Sequence, residues 1–214
     1  MDYLKFYDLE SYLFNDVKNN FHKNKFLDAF DFFCIIIWKA NRAKSKHSSR
    51  MLNGKSNLDV VVRELTSEIY NATNDKVRLR TLMNDRWKFL LPTATAILAV
   101  LYPEEFTVYD IRVCGQLGAF SDLGNRTNFN SIWEGYEEFR QAVRNIEPKE
   151  HSLRDKDRYL WGKSFAEQLE NDIKNNFIIT ENNLLFQAMK ESERSGKVSL
   201  KNVKDKLAKM ASGK

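Results

Sequence analysis

The chain has 214 residues, of which 34 are Lys or Arg and 29 are Asp or Glu, and its formal charge is +5. Only eight Gly and three Pro are present, too few for the many turns of a β-sandwich or barrel, so the composition favours long helices joined by short connections. The mild basic excess is compatible with a polyanionic partner and equally with an ordinary globular protein. We predict an all-α fold.

The cysteines and the first residues bear on the compartment. Cys34 and Cys114 show neither metal-ligand spacing nor a disulfide pattern, which predicts packing roles in a reducing compartment. The acidic start Met1-Asp2-Tyr3 is unlike a signal peptide, and the longest apolar run is too short to cross a bilayer. These patterns predict a cytoplasmic protein with no membrane partner, no metal and no cofactor.

Two helices are predicted in the first part of the chain. Residues 3–21 carry apolar side chains four residues apart, the spacing of a helix with one buried stripe: Leu9, Leu13, Val17 and Phe21. Residues 26–42 are apolar on nearly every side, which is typical of a helix at the centre of an α-domain.

A basic stretch follows this core helix and includes Lys39, Arg42 and Lys44. It has two interpretations: a solvated helix end, where cations complement the helix dipole, or an edge that contacts DNA phosphates. Lys39 emerges from an otherwise apolar helix, so its amine must reach solvent or a carboxylate. Asp110 and Asp157 are the candidate partners.

The middle of the chain is predicted to contain three helices, followed by an extended segment that ends at one acidic residue, Asp110. Two further helices are predicted, one from Leu58 to Ile69 and one over residues 75–84, and the basic and aromatic residues 86–88 follow them. A helix of small residues then begins at Pro92 and is stopped by Pro103. An extended segment, residues 106–109, delivers Asp110 to the start of the next helix, where the simplest interpretation is an N-cap.

The C-terminal part is predicted to contain two helices before an extension. Apolar and aromatic side chains between Ile132 and Val143 repeat at helical spacing and favour core packing. A helix from Leu153 to about residue 176 places Asp157 and Trp161 on one face, where a structural ion pair is favoured over a catalytic role. We divide the chain into residues 1–178 and an extension, 179–214, that packs, dimerises or contacts DNA.

Three phrases carry a family resemblance. Residues 92–98 read PTATAIL and residues 108–113 read VYDIRV. In this order they resemble the helix-hairpin-helix (HhH-GPD) superfamily of DNA glycosylases, whose catalytic aspartate lies in a V-D-x-[HR]-V pattern. Residues 153–161, LRDKDRYLW, are similar to a phrase of an uncharacterised bacterial branch. The resemblance covers roughly residues 30–165 and implies two packed helical lobes.

The resemblance implies a monofunctional glycosylase that acts on double-stranded DNA with a flipped base. Asp110 is then the catalytic residue, stabilising positive charge on the sugar or orienting the attacking water. Candidates for the base pocket are Trp38, Tyr109, Asp157 and Trp161, and candidates for DNA contact are Lys39, Arg42, Lys44, Arg86, Lys88 and Arg112.

The chain departs from the family pattern at the hairpin. Lys88 and Leu90 stand where such a hairpin normally has glycines, and Pro92 aligns with the lysine of bifunctional members. That alignment excludes a lysine-dependent lyase mechanism at this position. Two alternatives stay open: a noncatalytic DNA-binding protein on the same scaffold, and a helical interaction protein in which Asp110 is merely a cap.

Overall fold

The computed structural model describes residues 3–54 and 57–175, and within these ranges the regular secondary structure is helical throughout. The all-α prediction is confirmed. A π-helical turn, Leu13–Val17, joins the first two helices. The helices are α1 (Leu9–Tyr12), α2 (Lys18–Asn24), α3 (Ala29–Ala40), α4 (Lys44–Leu52), α5 (Leu58–Asn71), α6 (Asp75–Met83), α7 (Leu91–Leu101), α8 (Ile111–Leu117), α9 (Phe129–Arg144) and α10 (Leu153–Lys174).

The chain divides into two units, Met1–Phe165 and Ala166–Lys214. The division falls within α10, and the predicted extension, 179–214, lies outside the described residues. The site described below belongs entirely to the first unit.

Short polar side chains fix where many of the helices begin. Each of these residues has an extended backbone, and its side-chain oxygen accepts a hydrogen bond from a backbone N–H of the first helical turn, which would otherwise lack a partner. The capping residues are Asp28 for α3, Asn57 for α5, Asn74 for α6, Asp110 for α8 and Asn128 for α9.

Helix α7 lies at the centre of the first unit. Ten of its 11 residues are buried, and α2, α3 and α6 pack against it. Ala94, Ala96 and Ala99 are fully buried, and their small side chains allow neighbouring helices to approach closely. The predicted helix from Pro92 is therefore present, with Pro92 in its first turn, where a missing N–H costs nothing.

The basic stretch after α3 forms a further helix, α4, rather than a solvated helix end. His47 is buried, and its ring stacks on Phe89 with 5.1 Å between centroids. The Arg50 guanidinium lies 5.1 Å from the centroid of the same ring. One face of α4 thus packs on the core, and Arg42 and Lys44 remain exposed.

The two cysteines and the helix lengths bear on the predicted compartment. Cys34 and Cys114 are free and buried, and burial raises the pKa of each thiol to about 11. They are therefore unreactive packing residues. None of the described helices has the length and apolarity needed to cross a bilayer.

The extended segment before α8 is held by two buried hydroxyl groups. The Thr95 hydroxyl accepts a hydrogen bond from the backbone N–H of Tyr109 at 2.9 Å and donates to the Leu91 carbonyl at 2.8 Å. The Tyr136 hydroxyl donates to the Thr107 carbonyl at 2.7 Å and accepts from the Thr107 N–H at 3.2 Å. Helices α7 and α9 thereby fix the position of the residue that follows, Asp110.

Thr95→Val is expected to lower the free energy of unfolding by about 1–3 kcal/mol, because the buried N–H of Tyr109 loses its acceptor while the side-chain volume is kept. Thr81→Val is the matched control, since the Thr81 hydroxyl donates to the Val77 carbonyl of its own helix. Urea denaturation measures both. Equal losses in the two variants would show that Thr95 does not hold the segment.

Candidate functional site

A cavity of about 520 Å³ opens in the first unit between α1, α3, α10 and the extended segment before α8. Five of the residues that line it are site candidates from the sequence, and they come from three distant parts of the chain. They are Trp38, Lys39, Asp110, Asp157 and Trp161. The fold therefore brings together most of the predicted catalytic and base-pocket residues.

Asp110 and Lys39 form an ion pair in this cavity. Lys39 Nζ lies 2.6 Å from Asp110 Oδ2, and the two side chains are 18% and 20% exposed. Asp110 Oδ1 accepts the backbone N–H of Arg112 at 2.9 Å. The predicted contact of Lys39 with a carboxylate is confirmed, and Asp110 is both an N-cap and half of an ion pair.

The surroundings of Asp110 favour its ionised form. Burial alone raises the pKa of this carboxyl, but the charge and hydrogen bond of Lys39 and the N–H of Arg112 outweigh burial and bring the pKa below its ordinary value. Asp110 is therefore a carboxylate across the physiological pH range.

Asp157 is a further carboxyl of the cavity, and it is only 3% exposed. Its Oδ2 lies 2.5 Å from Nη1 of Arg154, and the backbone N–H of Val108 also donates to it. Burial raises the pKa of Asp157 to about 6 despite these partners and the nearby charge of Lys39. One cavity thus holds two carboxyls whose pKa values are shifted in opposite directions.

Two indole rings form walls of the cavity. Trp38 packs edge-to-face on Phe14, with 5.8 Å between centroids. Trp161 stacks on Phe165 at 5.8 Å with an angle of 6° between the rings, and the Arg112 guanidinium lies 5.6 Å from the Trp161 centroid. Aromatic walls of this kind suit a flat, weakly polar ligand such as a nucleobase.

Four lining residues were not predicted: Glu10, Val108, Arg154 and Arg158. Arg154 belongs to the phrase that carried the resemblance, and its spacing of three residues from Asp157 is a signal for an ion pair on one helix face. Glu10 lies on the polar side of a short amphipathic helix, where no sequence pattern distinguishes it from other surface acids.

Tyr109, a predicted base-pocket residue, does not line the cavity. Its ring packs edge-to-face on Phe139 with 5.4 Å between centroids, and its hydroxyl donates to the Phe120 carbonyl. Successive side chains of an extended segment point to opposite sides. Because Val108 and Asp110 face the cavity, Tyr109 faces the core.

The residues of the predicted hairpin, which lie between α6 and α7, do not line the cavity either. Arg86 pairs with Glu64 at 2.5 Å and Glu68 at 2.7 Å. Lys88 is exposed and has a φ of 51°, in the left-handed region that favours glycine. The backbone N–H groups of residues 86–89 donate to Asn84 or to the Leu82 carbonyl, so binding a phosphate through these groups requires breaking internal hydrogen bonds.

The positive charge that sequence reasoning assigned to DNA contact is distributed over several surfaces. Lys39 lines the cavity and Arg112 lies beside its Trp161 wall. Lys44 is exposed on α4 and donates to the Asn41 side chain at 3.0 Å.

Among residues 3–54 and 57–175, no three His, Cys, Asp or Glu side chains are grouped closely enough to hold a metal ion.

Comparisons of this chain with models of known protein families, with curated proteins and with solved structures found no match. The resemblance to the helix-hairpin-helix glycosylases stays a prediction.

Proposed function

We propose that the cavity hydrolyses the N-glycosidic bond of a damaged or modified nucleotide that is extruded from DNA into it. The observation that carries this proposal is the meeting, in one cavity of about 520 Å³, of the ionised Asp110, the buried carboxyl Asp157 and two indole walls. That volume lies within the range of about 300–1,000 Å³ that small ligands occupy.

Asp110 supplies the negative charge that the reaction needs. As the bond between the base and C1′ breaks, positive charge develops on the sugar, and a fixed carboxylate stabilises that charge or orients the attacking water. Lys39 and the N–H of Arg112 hold Asp110 ionised and in one orientation. Water adds its hydroxyl to C1′, and the base leaves with a proton.

Asp157 is suited to supply that proton. Two carboxyls with different surroundings divide the acid and base roles of glycoside cleavage in the same way. With a pKa of about 6, Asp157 is partly protonated just below neutral pH and donates to a ring nitrogen of the leaving base. The attacking water gives up one proton as its hydroxyl joins C1′, and that proton balances the one that Asp157 has lost. The indole rings of Trp38 and Trp161 hold the base by stacking.

A noncatalytic DNA-binding protein on the same scaffold is the second candidate. The contacts of Asp110 favour it, because one oxygen caps α8 and the other pairs with Lys39. In this alternative, the cavity binds an extruded base without cleaving it. A helical interaction protein without a nucleic-acid role is the third, and the cytoplasmic location predicted from the cysteines is common to all three.

Two measurements separate these candidates. Salt-dependent binding to duplex DNA is expected for the first two and not for the third. Base release is expected only for the first, and it is measured by alkaline cleavage of abasic sites in duplexes carrying deaminated, oxidised, alkylated or hypermodified bases. Binding to such duplexes with no release from any of them would favour the noncatalytic protein.

A further inference from the structure

A second, smaller cavity of about 370 Å³ adjoins the first one. Glu10, Arg154 and Arg158 line both cavities and therefore form the wall between them. The wall has two guanidinium groups and one carboxylate, and the proposed glycosidic chemistry makes no use of it.

Arg154 is fixed by the groups around it. Its guanidinium lies 4.7 Å from the Phe14 ring centroid and 5.2 Å from that of Trp38. Nη1 donates to Asp157, and Nη2 donates to Glu10 Oε1 at 2.8 Å. Such a guanidinium is preorganised, because packing and hydrogen bonds already restrict its rotamers.

Only one of the two N–H donors on the Arg154 edge that faces Glu10 has a hydrogen-bond acceptor. Nε and Nη2 present their N–H groups along the same edge of a guanidinium, the edge that binds carboxylate or phosphate in a bidentate manner. Glu10 accepts from Nη2, whereas Nε is buried and has no hydrogen-bond partner. A buried N–H of this kind is costly unless a ligand or water provides an acceptor.

Arg158 converges on the same carboxylate oxygen. Its Nε lies 3.2 Å from Glu10 Oε1, and its Nη1 lies 3.4 Å from Asp155 on the same helix. Oε1 of Glu10 therefore lies between two guanidinium groups. A phosphate group presents several oxygens to such a pair and is able to satisfy Nε of Arg154 as well.

We infer that Glu10 occupies a phosphate subsite formed by Arg154 and Arg158, and that a phosphate of the bound nucleotide displaces it. This inference rests on the proposed function, since the base would lie in the larger cavity and its phosphate at the wall. Glu10 is suited to displacement, because it belongs to the four-residue α1 and its side chain is 34% exposed.

The test compares two variants with matched controls. Glu10→Gln removes the competing charge, and Glu137→Gln removes a charge from another partly exposed ion pair. Arg158→Gln removes one phosphate ligand, and Arg63→Gln removes a similarly exposed, ion-paired arginine. Binding of inorganic phosphate is followed by ³¹P NMR, and binding of a short mixed-sequence DNA strand by fluorescence anisotropy. Thermal unfolding of every variant confirms that it folds.

Glu10→Gln is expected to bind phosphate about tenfold more tightly than wild type, and Arg158→Gln about tenfold more weakly. The two controls are expected to stay close to wild type. No gain of Glu10→Gln over Glu137→Gln, either for inorganic phosphate or for the DNA strand, would overturn the inference.

The same variants distinguish two candidate sources of the bound phosphate, a free nucleotide and the backbone of DNA. A gain in Glu10→Gln for deoxynucleoside monophosphates as well as for the strand indicates a subsite open to free nucleotides. A gain for the strand alone indicates the backbone of DNA. Both readouts are binding measurements that need no bond cleavage, so this inference and the proposed glycosidic activity can fail independently.

Discussion

Asp110→Asn is expected to lower the rate of base release about 10²- to 10³-fold, the usual cost of removing one group that stabilises charge in a transition state. The asparagine oxygen still caps α8, so the helix keeps its start while the negative charge beside the sugar is lost. DNA affinity is expected to change by less than about threefold, because Asp110 contributes no attraction for phosphate.

Single-turnover base release, together with anisotropy binding on the same duplex, measures both effects. Asp122→Asn is the control for loss of an ion-paired carboxylate, since Asp122 pairs with Arg126 at 2.9 Å but is exposed and does not line the cavity. A rate in Asp110→Asn equal to that of the control would remove Asp110 from the mechanism.

Because of Asp157, the free energy of unfolding is expected to rise as the pH falls from about 7.5 to about 4, which is the opposite of the usual effect of an aspartate. Burial raises its pKa in the folded chain to about 6 from an ordinary 3.8, so the folded state takes up the proton before the unfolded state does. The ionised carboxyl lowers stability above pH 6, and that cost is relieved as the pH falls through about 6 toward 4.

The free energy of unfolding of wild type relative to Asp157→Asn is therefore expected to rise by about 2 to 3 kcal/mol between pH 7.5 and pH 4, from a shift of about two pKa units. The groups that face Asp157 are Arg154 on its own helix, Lys39 on α3 and Tyr136 on α9. Both chains keep these groups, so their contributions largely cancel in the difference.

Urea denaturation at several pH values measures this difference. Asp155→Asn controls for the loss of a carboxyl from α10 at a solvent-exposed position. A pH dependence of the Asp157→Asn difference no larger than that of Asp155→Asn would contradict the raised pKa. If Asp157 also donates the proton to the base, base release falls about tenfold per pH unit above its pKa.

Much of the helical order was readable from the sequence. Apolar spacing indicated α5 and α9, and the capping side chains Asn57, Asn74 and Asn128 stand directly before helices. The chemical type of the Lys39 partner was also predictable, because an ammonium on an apolar helix requires a carboxylate or solvent. Only the fold chooses between Asp110 and Asp157, since both lie far from Lys39 in sequence.

Other features of the site depend on contacts that no local pattern encodes. The sequence does not show that the Tyr109 ring points away from the cavity, because an extended segment does not reveal which of its two faces is buried. The hydrogen bond from its N–H to Thr95 fixes that choice. His47 and Arg50 belong to the basic stretch for which the sequence offers only solvent or DNA phosphate as surroundings, yet both pack on Phe89, which follows about 40 residues later. Glu10 joins the site only because α1 lies beside α10.

The central claim, that this cavity cleaves an N-glycosidic bond, is tested most directly by detecting the free base. Mass spectrometry is applied to the small molecules released from duplexes carrying deaminated, oxidised, alkylated or hypermodified bases, with wild type and Asp110→Asn at equal occupancy of the DNA. We predict that wild type releases one class of base stoichiometrically and that Asp110→Asn releases none at the same time points. Full binding of every duplex with no free base from wild type would contradict the claim and leave the noncatalytic DNA-binding protein as the account of this cavity.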